Sequence, residues 1–483
     1  MGIKMEDLLN HALRVATKLG ARYAEARYQS SMYEESLLKN GVPEISSKTR
    51  SRGIGIRVLV NSALGFSSIA TITKSKIEEA VKEAISIAKS SSSLIKKGVN
   101  LSEEQMFEDK VIVKPRINPE NVDSDGRIQL LKMIDEELLG TSQKLGVKTS
   151  VRLLSIGYGV VEKMVINIDG AKVYSKIPYE MATYSFTLSS NGRSLQRYEN
   201  LGGTGGWEVV ERWLLDKVVK EEAENIGRAV LSAKSPPSDK IDVVLGSEIV
   251  GIVCHESTGH PSEADRVLGR EAAQAGETYI TPGSLGKCMG SELVTIVDNP
   301  VIPGSFGYYV YDDEGVKARE RTLLENGRIK ELLHNRETAA EFGLKSNGAA
   351  RASSYNREPM IRMSNTYMKP GDYSFEELIE DIKLGVYIKS YLEWNIDDKR
   401  WNQRYVGVES YLIENGRITD MVYQPAIELT AQGLYSSVDA VGKDLAFYAG
   451  YCGKGDPMQA VPVWFGGPSI RLRNVKLSTR IGH

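Results

Sequence analysis

The chain has 483 residues, 41% of them hydrophobic, and its 61 basic side chains nearly cancel its 63 acidic ones. That length is more than one hydrophobic core supports, so at least two domains are expected. The charge balance excludes a whole-chain field for nucleic acid or an anionic membrane.

No apolar run approaches the about eighteen residues of a membrane span, and the start, MGIKMEDLLNHALRV, lacks a secretory core with a cleavage site. Cys254, Cys288 and Cys452 are too few for a disulfide framework, so free thiols in a cytoplasmic protein are expected.

Residues 6–19 carry the apolar stripe Leu8, Leu9, Ala12, Leu13, Ala16 and Leu19, which predicts an amphipathic helix stopped by Gly20. Alternating runs at 22–29, 31–39, 54–60 and 63–69 predict a meander, and a second helix is expected over 74–89. Residues 90–114 read as a loop with one short strand, and 125–139 as a third helix. Four strands follow at 148–155, 159–168, 171–176 and 181–189, with tight turns at Asp169-Gly170 and Asn191-Gly192. The elements do not alternate regularly, so the fold class is α+β, with helices layered on mostly antiparallel or mixed sheets.

The cluster Gly202, Gly203, Gly205 and Gly206 lacks a phosphate-loop frame and reads as a flexible turn before a helix over 207–233. The breaker run Ser235-Pro236-Pro237-Ser238-Asp239 is the best domain boundary, dividing the chain into 1–237 and 238–483. Beyond it, 241–245 reads as a strand. Asp312-Asp313-Glu314-Gly315 lacks calcium-loop spacing and reads as a surface turn. Two hairpins are expected around Glu325-Asn326-Gly327 and Glu414-Asn415-Gly416.

The stretch GIVCHESTGHPSEAD, 251–265, holds two of the five histidines, His255 and His260, with Glu256 directly after the first. Two imidazoles about one helical turn apart suit a zinc ion, and an adjacent carboxylate can take a proton from water at the remaining position. At about 100° per residue, side chains five apart diverge by roughly 140° around a regular helix, so the reading requires a wider i→i+5 turn. Gly259 and Pro261 favour such a distortion. The plainer alternative is a buried helix whose histidines satisfy local hydrogen bonds.

A third ligand is needed, and His11, His334, His483 and the cysteines leave it open. Cys452 is favoured: its glycine neighbours allow close approach, and Lys454 could lower its thiol pKa. Glu263 and Asp265 are candidates for orienting a ligand ring, with ordinary surface carboxylates as the alternative. Arg336, Arg351 and Arg362 could bind a peptide carboxylate, but structural ion pairing is the plainer reading.

HESTGHPSEAD, PMIRMSNTYMKPGD at 359–372, SYLIENGRI at 410–418 and YCGKGDPMQAVPV at 451–463 resemble the TldD/PmbA family of metallopeptidases, on its TldD side. GARYAEAR at 20–27 and GIGIRVL at 53–59 extend the likeness to the amino-terminal part. The resemblance implies one zinc ion per chain on His255, His260 and Cys452, with Glu256 as general base. It also implies hydrolysis of peptides or small unfolded proteins, and a heterodimer with a TldE/PmbA-like paralogue, a homodimer being the other option.

Pro261-Ser262 and the segment 387–408 depart from the family pattern, which leaves the lining of the substrate channel open. Two other readings compete: a thiol hydrolase with Cys452 as nucleophile, and a non-catalytic partner subunit.

Overall fold

The computed structural model describes residues 5–238, 240–273 and 275–479. The amino-terminal stripe forms α1, Met5–Lys18, which buries Leu8, Leu9, Ala12, Leu13 and Ala16. After it come β1 (Tyr23–Lys39), β2 (Val42–Val60) and β3 (Ala63–Ile69), then α2 (Lys74–Ser92), whose Ile77, Ala80, Val81, Ala84 and Ile85 share that core. A short strand β4, Glu108–Ile112, precedes α3, Ser124–Leu145. Next are β5 (Lys148–Asn167), β6 (Lys172–Ser190), β7 (Arg193–Thr204), α4 (Trp207–Trp213) and α5 (Leu215–Ser232).

The strands make one seven-stranded sheet in the order β3-β2-β1-β5-β6-β4, with β7 also on β6. All pairs are antiparallel except β4 with β6. Helices α3 and α5 cover the β5–β7 region through a second core that includes Leu131, Leu138, Phe186, Leu188 and Ile226.

The strands are longer than their hydrophobic pattern suggests. Gly157 and Gly159 interrupt the alternation of β5, but a side chain there would collide with the Tyr33 and Tyr179 rings, so aromatic groups occupy the space and the strand continues. Likewise Gly202 and Gly203 are not a flexible turn. They end β7, and the Phe306 ring lies where a Gly202 side chain would stand. The helix expected over 207–233 is broken at Leu214, whose φ of 47° is left-handed.

The remaining residues build three further sheets, the smallest a pair of two-residue strands, Ala350–Arg351 and Met360–Ile361. Strand β8, Lys240–Leu245, lies inside a nine-stranded sheet, parallel to Leu384–Ile388 and antiparallel to Ile470–Thr479. A six-stranded sheet holds Ile296–Asp298, Asn365–Met368, Gln459–Gly467 and Ala446–Lys454 among its members. With all four sheets counted, the protein is α+β and multi-domain.

β8 leads directly into α6, Ser247–Cys254. Ile249, Val250, Ile252, Val253 and Cys254 are all buried, so α6 is apolar around most of its surface after the buried Glu248 of its first turn. It packs on Gln459–Gly467, Asn365–Met368 and Ala446–Lys454. Burial of these side chains contributes about 1.5–3 kcal/mol each, which fixes the end of α6.

The acidic run at 312–315 corrects the sequence reading. Asp312, Asp313 and Glu314 are 3%, 3% and 0% exposed, not at the surface. Glu314 accepts a 2.6 Å hydrogen bond from Arg57 of β2, and Asp313 two of 2.9 Å from Lys163 of β5. Asp312 accepts from the backbone N–H groups of Glu314, Val316 and Ala350. The run joins the amino-terminal sheet to the later residues.

Helix α6 approaches the strand beneath it closely, because a Cβ on Gly251 would lie 2.8 Å from Gly466 N and from the Phe465 ring. We expect Gly251→Val to destabilise the protein by about 1–3 kcal/mol through overpacking. A thermal melt checks this, and an unchanged midpoint would remove α6 packing as the device that positions the site.

Candidate metal centre

Widening of the helix begins where α6 ends. Residues His255–Gly259 form a π turn, closed by the His260 N–H donating to the His255 carbonyl, and His260–Ser262 tighten into a 3-10 turn. This is the i→i+5 distortion that the histidine spacing requires. It sets the two rings edge to face, 5.0 Å apart between centroids. Neighbouring side chains hold the turn: Tyr279 OH donates to Ser257 O at 2.7 Å, Thr258 Oγ1 lies 2.7 Å from Tyr435 OH, and Ser257 pairs with Gln403.

The strand Ala446–Lys454 brings Cys452 to the same point, and Cys452 Sγ is 3.4 Å from His260 Nε2. One donor atom from each of His255, His260 and Cys452 lies within 4.8 Å of the others, and all three residues are buried. No other such group of His, Cys, Asp or Glu occurs among the described residues.

Elsewhere, His11 Nε2 is 2.9 Å from Glu78, and His334 Nδ1 is 3.1 Å from Thr338 Oγ1. His483 lies outside the described residues. Cys254 is buried and Cys288 exposed, and neither joins the group.

His260 Nδ1 faces Glu263 Oε2 at 3.1 Å, which leaves Nε2 toward Cys452. A carboxylate on one imidazole nitrogen fixes the tautomer and sharpens the other nitrogen as a ligand. Glu263 is completely buried, and burial pushes its carboxyl up, but Lys454, His260 and Arg266 together hold it well below the ordinary range. Asp265 touches neither ring. It accepts Lys454 Nζ at 2.7 Å on both oxygens, and Lys454 reaches Glu263 at 3.3 Å.

The Cys452 thiol is pushed up by burial, yet His260 and Arg362 bring it down to about 7. Arg362, not Lys454, is therefore the cation acting on the sulfur. Arg362 also donates to the carbonyls of Cys452 and Gln459, tying the hairpin to the site. Arg351 and Arg336 likewise serve buried carbonyls, those of Met363 and Pro462 for the first and of Ser102 for the second.

Burial holds His255 below the usual imidazole value, favouring its neutral form, and His255 Nδ1 is a buried nitrogen with no hydrogen-bond partner. Two imidazoles, a thiol near its titration point and an unpartnered ring nitrogen form a donor set that fits zinc.

Glu256 is 5% exposed and pairs with Arg400. Burial pushes its carboxyl up, but Arg400, His260 and His255 outweigh that and keep it below the ordinary value, so it is ionised at neutral pH. Arg400 sits in the turn between strands Tyr391–Ile396 and Asn402–Gly407, with a left-handed φ of 58°. Sequence reading missed it because it lies 144 residues from its partner and no local pattern marks it.

Beside His255 and Glu256 opens a cavity of about 210 Å³, lined by Tyr391, Trp394, Tyr451 and Phe465, and by Tyr198, Glu199 and Asn200 of β7.

Three models of the PmbA/TldA metallopeptidase match the chain: domain 1 over residues 24–88, the central domain over 117–231 and the C-terminal domain over 238–479. The chain belongs to the PmbA/TldD metallopeptidase family. Within that family it is 33% identical to a metalloprotease of Methanocaldococcus jannaschii, over 93% of this chain and 95% of that one. It is 28% identical to a zinc metalloprotease TldD homolog of Saccharolobus solfataricus, over 96% and 98% of the two chains. TldE from Thermococcus kodakarensis shares the fold at a TM-score of 0.77 and 18% identity, over 98% of this PmbA/TldD chain and all of that one.

Metal binding by this donor set requires the thiolate, so zinc affinity should rise as pH climbs from 6 to 8 through the Cys452 titration near 7. Competition with a chromophoric chelator measures the slope. Cys452→Ser should weaken binding and flatten it, whereas a wild-type affinity independent of pH would exclude the sulfur as a ligand.

Proposed function

We propose that the chain is a zinc-dependent, TldD-like peptidase acting on peptides or small unfolded proteins. The observation that carries this is the convergence of the His255, His260 and Cys452 donors within 4.8 Å beside an ionised Glu256. One zinc ion on those three residues would supply a Lewis acid that polarises the scissile carbonyl and activates water.

The chain's own groups do the rest. Glu256 takes a proton from the attacking water at its carboxylate and returns it to the departing amine nitrogen. Arg400 keeps that carboxylate charged and aimed, while Glu263 holds the His260 ring through Nδ1. Tyr391, Trp394 and Phe465 wall the cavity and limit water around the peptide bond. A peptide added along a sheet edge would be read through its backbone, consistent with broad specificity.

A second reading has one observation in its favour. The 3.4 Å Cys452–His260 contact, with Glu263 behind the ring, resembles the nucleophile, base and orienting carboxylate of a thiol hydrolase. Chelation separates the two: a zinc peptidase loses activity and regains it with zinc, and a thiol hydrolase does neither.

The same reading assigns a heterodimer with a TldE-like paralogue, a homodimer being the alternative, and a cytoplasmic location. Among the described residues no helix is long and apolar enough to cross a membrane. Retention of the complete donor set argues against a purely non-catalytic subunit.

Glu256→Gln should keep zinc at one per chain and lower kcat/KM on an unfolded peptide by about 10²–10⁴-fold, the share of a general base. His260→Ala should lose both zinc and activity. Elemental analysis with a peptide assay, run with and without the paralogue, reads both variants. Full activity in Glu256→Gln would remove that residue as the base.

A further inference from the structure

A second cavity, about 240 Å³, adjoins the metal site. Glu199, Asn200 and Ala449 line both cavities, so the two are immediate neighbours.

Its charged lining consists of Glu199, Glu222, Glu248 and Glu409 against Arg197 and Lys389. Arg197 is bound by three of the carboxylates at once: Glu248 at 2.9 and 3.0 Å, Glu222 at 2.9 and 3.0 Å, and Glu199 at 2.6 Å. Arg197 supplies one positive charge to three carboxyl groups, and Lys389, 2.9 Å from Glu409, supplies one to the fourth. Burial is the main cause that pushes the Glu199 carboxyl up to about 8 and the Glu248 carboxyl up to about 7, and the Glu248 charge raises Glu199 further, so the pair holds protons near neutral pH that an entering cation would displace.

Ser390 lines the same space, is 4% exposed, and its Oγ has no hydrogen-bond partner. Buried hydroxyls are rarely left so, and this one is available to an incoming polar group. The remaining walls include Tyr184, Phe447, Tyr448 and Trp464, whose ring faces favour cations over anions.

We propose that this second cavity is a specificity pocket for a cationic nitrogen of the peptide, held by the Glu199, Glu222, Glu248 and Glu409 carboxylates and the Ser390 hydroxyl against aromatic walls. The proposal rests on the peptidase reading and adds the substrate class. Two sources share that chemistry, a lysine or arginine side chain and the peptide's amino-terminal ammonium.

Binding to the full-length, zinc-loaded Glu256→Gln protein tests it with three peptides of otherwise identical sequence. The first is acetylated and contains lysine, the second is acetylated with norleucine in its place, and the third carries norleucine and a free amino terminus. The cationic group should tighten Kd by about ten- to a hundred-fold over the second peptide, the range for a charge-assisted hydrogen bond. Whether the first or third peptide gains identifies the source.

Glu222→Gln should shrink that gain, and Lys389→Met, which removes the cation beside Glu409 and leaves it only the neutral donors Asn225 and Tyr411, should enlarge it. Binding of the second peptide shows that each variant is folded, and the opposite signs of the two changes cannot both follow from misfolding. Equal affinity for all three peptides, with all three still cut by the wild-type protein, would overturn the pocket and leave the peptidase standing. Neither binding nor cutting of any of them would overturn both.

Discussion

The hydrogen bond from the His260 N–H to the His255 carbonyl sets the direction of everything at the centre. In a regular helix the two rings would point roughly 140° apart, and no placement of Cys452 could bring three donors together. One residue added to the turn brings them within reach, at the cost of local helix regularity. That cost is met by packing. The buried, largely apolar α6 anchors one end, and the contacts from Tyr279, Tyr435 and Gln403 hold the widened turn itself.

Around this turn the protein arranges buried charge in layers. Lys454 and Arg266 hold Glu263, Glu263 holds His260, and Arg362 holds the Cys452 strand while acting on its thiol. Buried ion pairs add little net stability, because desolvation offsets most of their attraction. Their effect here is on geometry and protonation: each group next to a proposed ligand has its own charged neighbour. The same device recurs at 312–315, where Glu314 and Asp313 receive Arg57 and Lys163 from the amino-terminal sheet.

What the sequence made legible follows from the range of the forces involved. The stripe of α1, the turn at Asp169-Gly170 and the need for a widened turn at His255 are local matters, and they appear where expected. Cys452 could be favoured from its glycine neighbours, but only the family resemblance singled it out, since 192 residues separate it from His260. Arg400 and β7's Glu199 had no local signal at all, and Arg362 was singled out for a peptide carboxylate, not for the Cys452 strand that it holds. Misreadings share one cause: composition was taken as environment. The glycines that end β7 looked like a flexible turn because the Phe306 ring that covers Gly202 comes from a distant residue, and the acidic run looked solvated because its cationic partners lie 257 and 150 positions away.

Tyr198, Glu199 and Asn200, at the outer end of the amino-terminal sheet, form one wall of a cavity whose opposite wall carries His255 and Glu256. That cavity is therefore a seam. A chain starting near residue 240 would retain every donor atom yet hold them in an open trough, wet on one side and unable to confine a strand of substrate. The donor atoms and one wall of the space beside them thus come from separate stretches of sequence, and only their closure against each other makes a compartment.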